Sequence, residues 1–160
     1  MTNSSYELTP DEYSAIGRIS VHISDLERAL ILFISELVGD NPYVGLAVTA
    51  GCTANTLINM LRALWSVRLS ENKYTDDFDA LLSSLVKLAD YRNRIIHSYW
   101  RYDPAEKKPI RTRLKRHKKI GFQIEHQHVN VDELNEFSNL VILATKTVHA
   151  LSRRVSILIH

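Results

Sequence analysis

One cysteine, Cys52, is all that 160 residues contain, so no intrachain disulfide can form and no cysteine-rich zinc site can be assembled. That economy suits a reducing compartment, and a cytoplasmic location is expected. Apolar runs are short: Ala29 to Ile34 falls far below the length needed to cross a bilayer, and the opening Met-Thr-Asn-Ser-Ser-Tyr-Glu lacks the basic-then-apolar order of a secretory signal, so no membrane association is expected. Phosphate-loop glycines, a dinucleotide fingerprint and a Gly-x-Ser-x-Gly elbow are missing, which argues against the common nucleotide and hydrolase sites. An excess of charge is missing too. The net charge of +2 is too small to mark a nucleic-acid binder, so the placement of the charges has to decide.

That placement is uneven. From Lys107 to Lys119 there are eight Lys or Arg residues and no carboxylate, whereas Asp76, Asp77 and Asp79 lie close together elsewhere. No internal repeat, low-complexity tract or interdomain linker interrupts the chain, and a single domain over 1–160 is expected.

The apolar periodicity is mostly helical. Thr9-Pro10-Asp11-Glu12 is a capping box with proline in the first turn. Tyr13, Ile16, Ile23, Leu26, Leu30, Phe33 and Leu37 then predict one long helix ending at Gly39-Asp40-Asn41-Pro42. Tyr43 to Leu69 predicts a short helix, a break at Gly51-Cys52, and a longer helix capped by Thr53 and packed through Leu57, Met60, Leu61, Leu64 and Trp65. A further long helix is predicted from Thr75 to Asp77 onward, where acids complement the amino-terminal dipole, running through Leu81, Leu85, Leu88, Arg92, Ile95 and Tyr99.

After Trp100 the period changes to two: Ile110, Thr112 and Leu114, then Phe122, Ile124 and His126, flank a Lys118-Lys119-Ile120-Gly121 turn. This predicts a basic β-hairpin over about 105–129. Asn130 with Glu133 caps a final helix carrying Leu134, Phe137, Leu140, Val141, Ala144, Val148, Leu151 and Val155. The fold expected is all-α: an antiparallel four- to five-helix bundle with the hairpin inserted before the last helix.

Arg92 breaks this pattern. It stands on an apolar seam where Leu or Ile belongs, and a buried guanidinium is costly unless paired, with Asp90, Glu27 and Asp25 as candidate partners. Asn93 and His97 are four residues apart and share a face, while Arg92 lies roughly 140° around the helix from His97, a gap that a long arginine can partly close. A permanently charged, five-donor fork beside an imidazole, the group type that exchanges protons near neutral pH, suits phosphate as ligand.

Arg92-Asn93-Arg94-Ile95-Ile96-His97, an arginine, a polar residue and a histidine near the end of a bundle helix, resembles the motif of HEPN domains. The aromatic pair Tyr99-Trp100 just beyond is also typical of that family. The same loose spacing recurs at Arg111 to His117 and Arg154 to His160, but there it lies in the hairpin and at the last residue, so context singles out Arg92. The resemblance implies a metal-independent endoribonuclease of toxin or phage-defence type, needing no cofactor and acting as a homodimer. His97 would act on the 2′-hydroxyl or the leaving 5′-oxygen, Arg92 would stabilise charge on the phosphate, and Asn93 would orient His97 or the phosphate. This fits the chemistry, because proton transfer and an oriented guanidinium suffice when RNA supplies its own nucleophile. His97-Ser98-Tyr99 also resembles the extension of some HEPN toxins whose tyrosine is modified by a nucleotidyltransferase antitoxin; otherwise Tyr99 is expected to continue the buried seam.

Arg111, Arg113, Lys115 and Arg116 are candidate contacts to RNA phosphates, and Trp100 and Tyr102 candidates for base stacking; a charged hairpin also serves to block edge-to-edge pairing, and aromatics at a helix end often close a core. Glu125, His126 and His128 form at most a poor metal corner, with no cysteine nearby and no His-Glu-x-x-His, so no metal is expected. The alternative to catalysis is a non-catalytic module that binds a nucleotide, RNA or a partner protein through the same residues.

Overall fold

The computed structural model describes residues 7–39, 41–69 and 72–159, with His117 described by its backbone alone. Asp40, part of the expected end of the first helix, and His160 lie outside the described residues. Among them are five α-helices and three strands: α1 (Pro10–Val38), α2 (Pro42–Thr49), α3 (Ala54–Arg68), α4 (Thr75–Ile96), β1 (Tyr99–Asp103), β2 (Lys108–His117), β3 (Gly121–His128) and α5 (Val131–Ile159). The protein is mostly helical but not all-α. The expected hairpin is part of a three-stranded antiparallel sheet in the order β1-β2-β3.

The ends of the helices follow the capping residues. Thr9 N–H donates to Glu12 Oε2 at 2.7 Å and Glu12 N–H to Thr9 Oγ1 at 3.3 Å, so the capping box closes and explains why Glu12 is buried. Asn41 accepts from Tyr43 N–H at the start of α2, Thr53 from Thr56 N–H at the start of α3, and Asn130 from Glu133 N–H at the start of α5. Gly39 ends α1 at φ 132°, a conformation that glycine tolerates and L-residues resist.

Contacts divide the chain into two compact units, 1–21 with 90–139 and 22–89 with 140–160, and α1, α4 and α5 contribute to both. In the second unit, Trp65 stacks on Phe78 at 3.8 Å between centroids and meets Phe33 edge-on at 6.5 Å. Leu30, Ile34, Leu57, Leu61, Leu85 and Val141 of the same unit are fully buried.

Gly45 of α2 lies against Ser35 of α1 so closely that a Cβ built on it would sit 2.4 Å from the Ser35 Cα. Alanine is the better helix former by about 1 kcal/mol, but overpacking against backbone costs about 1–3 kcal/mol, so the clash wins. Gly45→Ala is expected to lower the urea midpoint of unfolding; an unchanged or raised midpoint would contradict the close approach.

The first unit is built around Ala15, Ile19, Ile95, Ile110, Val129, Leu134 and Phe137, all buried. The stripe of α1 is thus phased differently from expectation. Ala15 and Ile19 face inward, Ile16 is half-buried and Tyr13 is exposed, because the buried series 12, 15, 19, 23, 26, 30, 33, 37 keeps strict three- and four-residue steps. Leu140 of α5, expected in the core, is exposed as well. None of the described helices is long and apolar enough to cross a membrane.

Candidate functional site

Helix α4 carries the candidate residues on its last turn and stops at Ile96, not at Tyr99. A helix end leaves carbonyls without partners, and here the following residues supply them. His97 N–H donates to the Asn93 carbonyl at 3.2 Å, the Ser98 hydroxyl to the Arg94 carbonyl, and the Trp100 indole N–H to the Ile95 carbonyl at 2.8 Å. Strand β1 therefore starts two residues past His97, held to the helix end by Trp100. The expectation that Tyr99 continues the helical seam is overturned: Tyr99 opens β1 and is 70% exposed. The aromatic enrichment at Tyr99, Trp100 and Tyr102 is the strand-like signal that the helical frame of α4 obscured.

The three motif side chains come together. Arg92 Nη1 donates to Asn93 Oδ1 at 3.1 Å and approaches His97 Nε2 at 3.4 Å. In that contact the guanidinium can only donate, so Nε2 is on the accepting side. Arg92 and Asn93 are half-buried and His97 is exposed, which places a basic ring nitrogen at the surface beside a fixed cation. Arg92 Nε is buried without a hydrogen-bond partner, and none of the ion pairs among the described residues involves Arg92. A carboxylate partner, which would have made this a structural arginine, is not among the described contacts. The guanidinium keeps donors available for an anion.

The basic residues of β2 separate by face. Trp100, Arg111 and Gln127 pair across the three strands in one row, with Arg113 opposite Glu125 in the next. Arg111 is only 5% exposed, donates to Gln127 Oε1, and has Nε without a partner. Burial pulls its pKa below the usual arginine value, countered by Tyr91 and Glu125. Its placement is that of an anchor within the first unit, not of an exposed phosphate contact. Tyr91, itself packed on Phe137 at 4.4 Å, is pushed up in pKa by burial first and by Glu133 second. Lys115 and Arg116 are exposed and Arg113 half-buried, as contacts to a polyanion require, although Lys115 is engaged with Glu125 at 2.8 Å. Trp100 spends its indole N–H on the end of α4, and Tyr102 is half-buried.

The poor metal corner is dispersed. Glu125 lies on the face opposite His126 and His128 and bonds Lys115, His126 Nδ1 bonds the Thr112 hydroxyl at 2.9 Å, and His128 Nε2 reaches Asp103 at 3.0 Å. The bond from His128 holds the Asp103 carboxyl below its ordinary 3.8, assisted by the Ala105 and Glu106 amides. A carboxyl with a folded pKa below the unfolded one stabilises above its unfolded value, and that stabilisation goes as pH falls through the lowered value. The Ala105 and Glu106 amide resonances are therefore expected to titrate only below 3.8, and Asp103→Asn to abolish that titration; a transition above it would contradict the clip.

In the second unit, a groove of 740 Å³ runs between α4 and α5, lined by Leu81, Ser84, Leu140, Leu143, Thr147 and Arg154 among others. It holds none of the motif residues. Comparison with protein-family models, with curated proteins and with solved structures finds no match to this chain.

Proposed function

We propose that this protein is a HEPN-type, metal-independent endoribonuclease of the toxin or phage-defence kind. The observation that carries the reading is the contact set Arg92 Nη1, Asn93 Oδ1 and His97 Nε2 at the exposed end of α4, with no carboxylate neutralising the guanidinium among the described ion pairs. In the reaction, Arg92 turns from His97 to the phosphate, and the freed Nε2 takes the proton of the RNA 2′-hydroxyl, whose oxygen attacks the adjacent phosphorus. The bond to the 5′-oxygen breaks, that oxygen takes a proton from an imidazolium, and a 2′,3′-cyclic phosphate remains. Arg92 stabilises the charge that gathers on the non-bridging oxygens, and Asn93 keeps the guanidinium turned toward them.

The reading includes an antiparallel bundle carrying the hairpin as an insertion, a cytoplasmic homodimer in which two such motifs face one cleft, and no cofactor. The exposure of Tyr99 favours its accessibility to a modifying nucleotidyltransferase partner. The experiment is cleavage of single-stranded RNA in excess chelator, with the ends identified by mass spectrometry. Cyclic phosphate ends are expected. RNA bound without turnover would replace this reading with that of a non-catalytic binding module.

A further inference from the structure

Strand alternation gives the sheet two unlike faces. One carries Trp100 and Arg113, half-buried, and Arg111, buried, with Gln127 beyond Arg111 exposed. The other carries Tyr99, Leu114, Phe122 and Ile124, exposed by 70%, 68%, 57% and 50%. Leu114 stands directly opposite Ile124, Arg116 opposite Phe122, and Tyr99 opposite Thr112, so these side chains are cross-strand or diagonal neighbours. Such pairs lie within roughly 4.5–8 Å of one another, which makes a continuous patch. A strand that alternates in sequence as a half-buried one should cover its apolar face; Ile110 on this face is buried, but the other four apolar side chains are left uncovered among the described residues.

What surrounds the patch indicates its occupant. Arg101, Lys108 and Arg116 share the face, and Lys118 adds its charge at the turn. The one carboxylate on the face, Asp103, is already bound to His128. A second copy docking by two-fold symmetry would bring a second cationic rim and no free carboxylate to the same face. An uncharged bilayer or an apolar helix would leave the cations unanswered. A single-stranded polynucleotide answers both features, with bases against the aromatic and aliphatic patch and phosphates against the rim.

We propose that the open face of the sheet, with Tyr99 and Phe122 as stacking platforms and Arg101 and Arg116 as phosphate contacts, binds unpaired nucleotides. The site is separate from the Arg92 and His97 contact and does not require that His97 be catalytic. Stacking on an aromatic contributes about 1–3 kcal/mol per base, and nucleotides held here would need no particular sequence.

The test uses the full chain and fluorescence anisotropy with a short 2′-O-methyl oligouridylate, which lacks the nucleophilic hydroxyl and so reports binding without cleavage. Phe122→Ala and Tyr99→Ala are each expected to weaken binding about 5- to 150-fold. Binding of inorganic polyphosphate, which has the charge but no bases, should stay unchanged. Phe122→Tyr should bind the oligouridylate as the parent does, and thermal unfolding should be unaltered because Phe122 is exposed. Undiminished oligouridylate binding by Phe122→Ala, or equal loss for both polymers, overturns the proposal. So does a self-associated parent that Phe122→Ala dissociates in sedimentation velocity, since the face would then belong to a second copy. Cleavage is not read out, so failure here leaves the ribonuclease reading standing, and the reverse holds.

Discussion

His97→Ala is expected to lower RNA cleavage by about 10²- to 10⁴-fold, the usual contribution of a positioned acid or base. The side chain is exposed and among the described residues is bonded only through its contact with Arg92, so its removal opens no cavity and strands no buried donor beyond those already there. Its backbone N–H, which caps the Asn93 carbonyl, survives the substitution. Circular dichroism and the unfolding midpoint should therefore match the parent while the rate collapses. Equal cleavage by His97→Ala would remove the histidine from the chemistry and with it the ribonuclease assignment.

Arg92 gives the second large effect, with an unusual companion. Removing a donor that stabilises developing charge costs about 10²- to 10³-fold in rate, and Arg92→Ala is expected to fall in that range. Arg92→Lys keeps the charge but loses the planar fork that reaches Asn93 and His97 together, so it should recover only part of the rate. Stability should move the other way or not at all. Arg92 Nε is buried without a partner, and truncating the side chain deletes that unsatisfied donor along with a cation on an apolar seam. A parent-like or higher melting temperature with lost cleavage marks a residue retained for function. A large loss of stability would mark it as structural.

Much of the fold was legible because local chemistry and packing agreed. Thr9, Thr53 and Asn130 each cap the helix they were expected to cap, and Gly121 at φ 83° closes the turn that the change of period announced. Legibility failed where tertiary context chose between two locally acceptable patterns. Tyr13 and Ile16 share a helical phase with Ile23, but so do Ala15 and Ile19, and small Ala15 won the interior. Tyr99 fits the seam of α4 by spacing, yet the helix ends earlier because Ser98 and Trp100 supply partners for its last carbonyls. The motif residues were found by the arginine that broke a stripe. Burial of Arg111 was not, since on a basic strand nothing in the order of residues says which face the rest of the chain covers. For the same reason the two-residue alternation of Phe122 and Ile124 did not show that both are exposed.

The passage from α4 into β1 leaves only His97 and Ser98 between the last helical residue and the first strand residue. Because side chains alternate along a strand, one residue added or lost there would turn β1 over unless its pairing slipped to compensate, carrying Trp100 away from Ile95 and Tyr99 to the opposite side. The turn at 118–120 lies at the other end of the sheet, away from this joint. Drift in this molecule is therefore closed at the root of the sheet, where a single insertion would separate the histidine from the surface beside it.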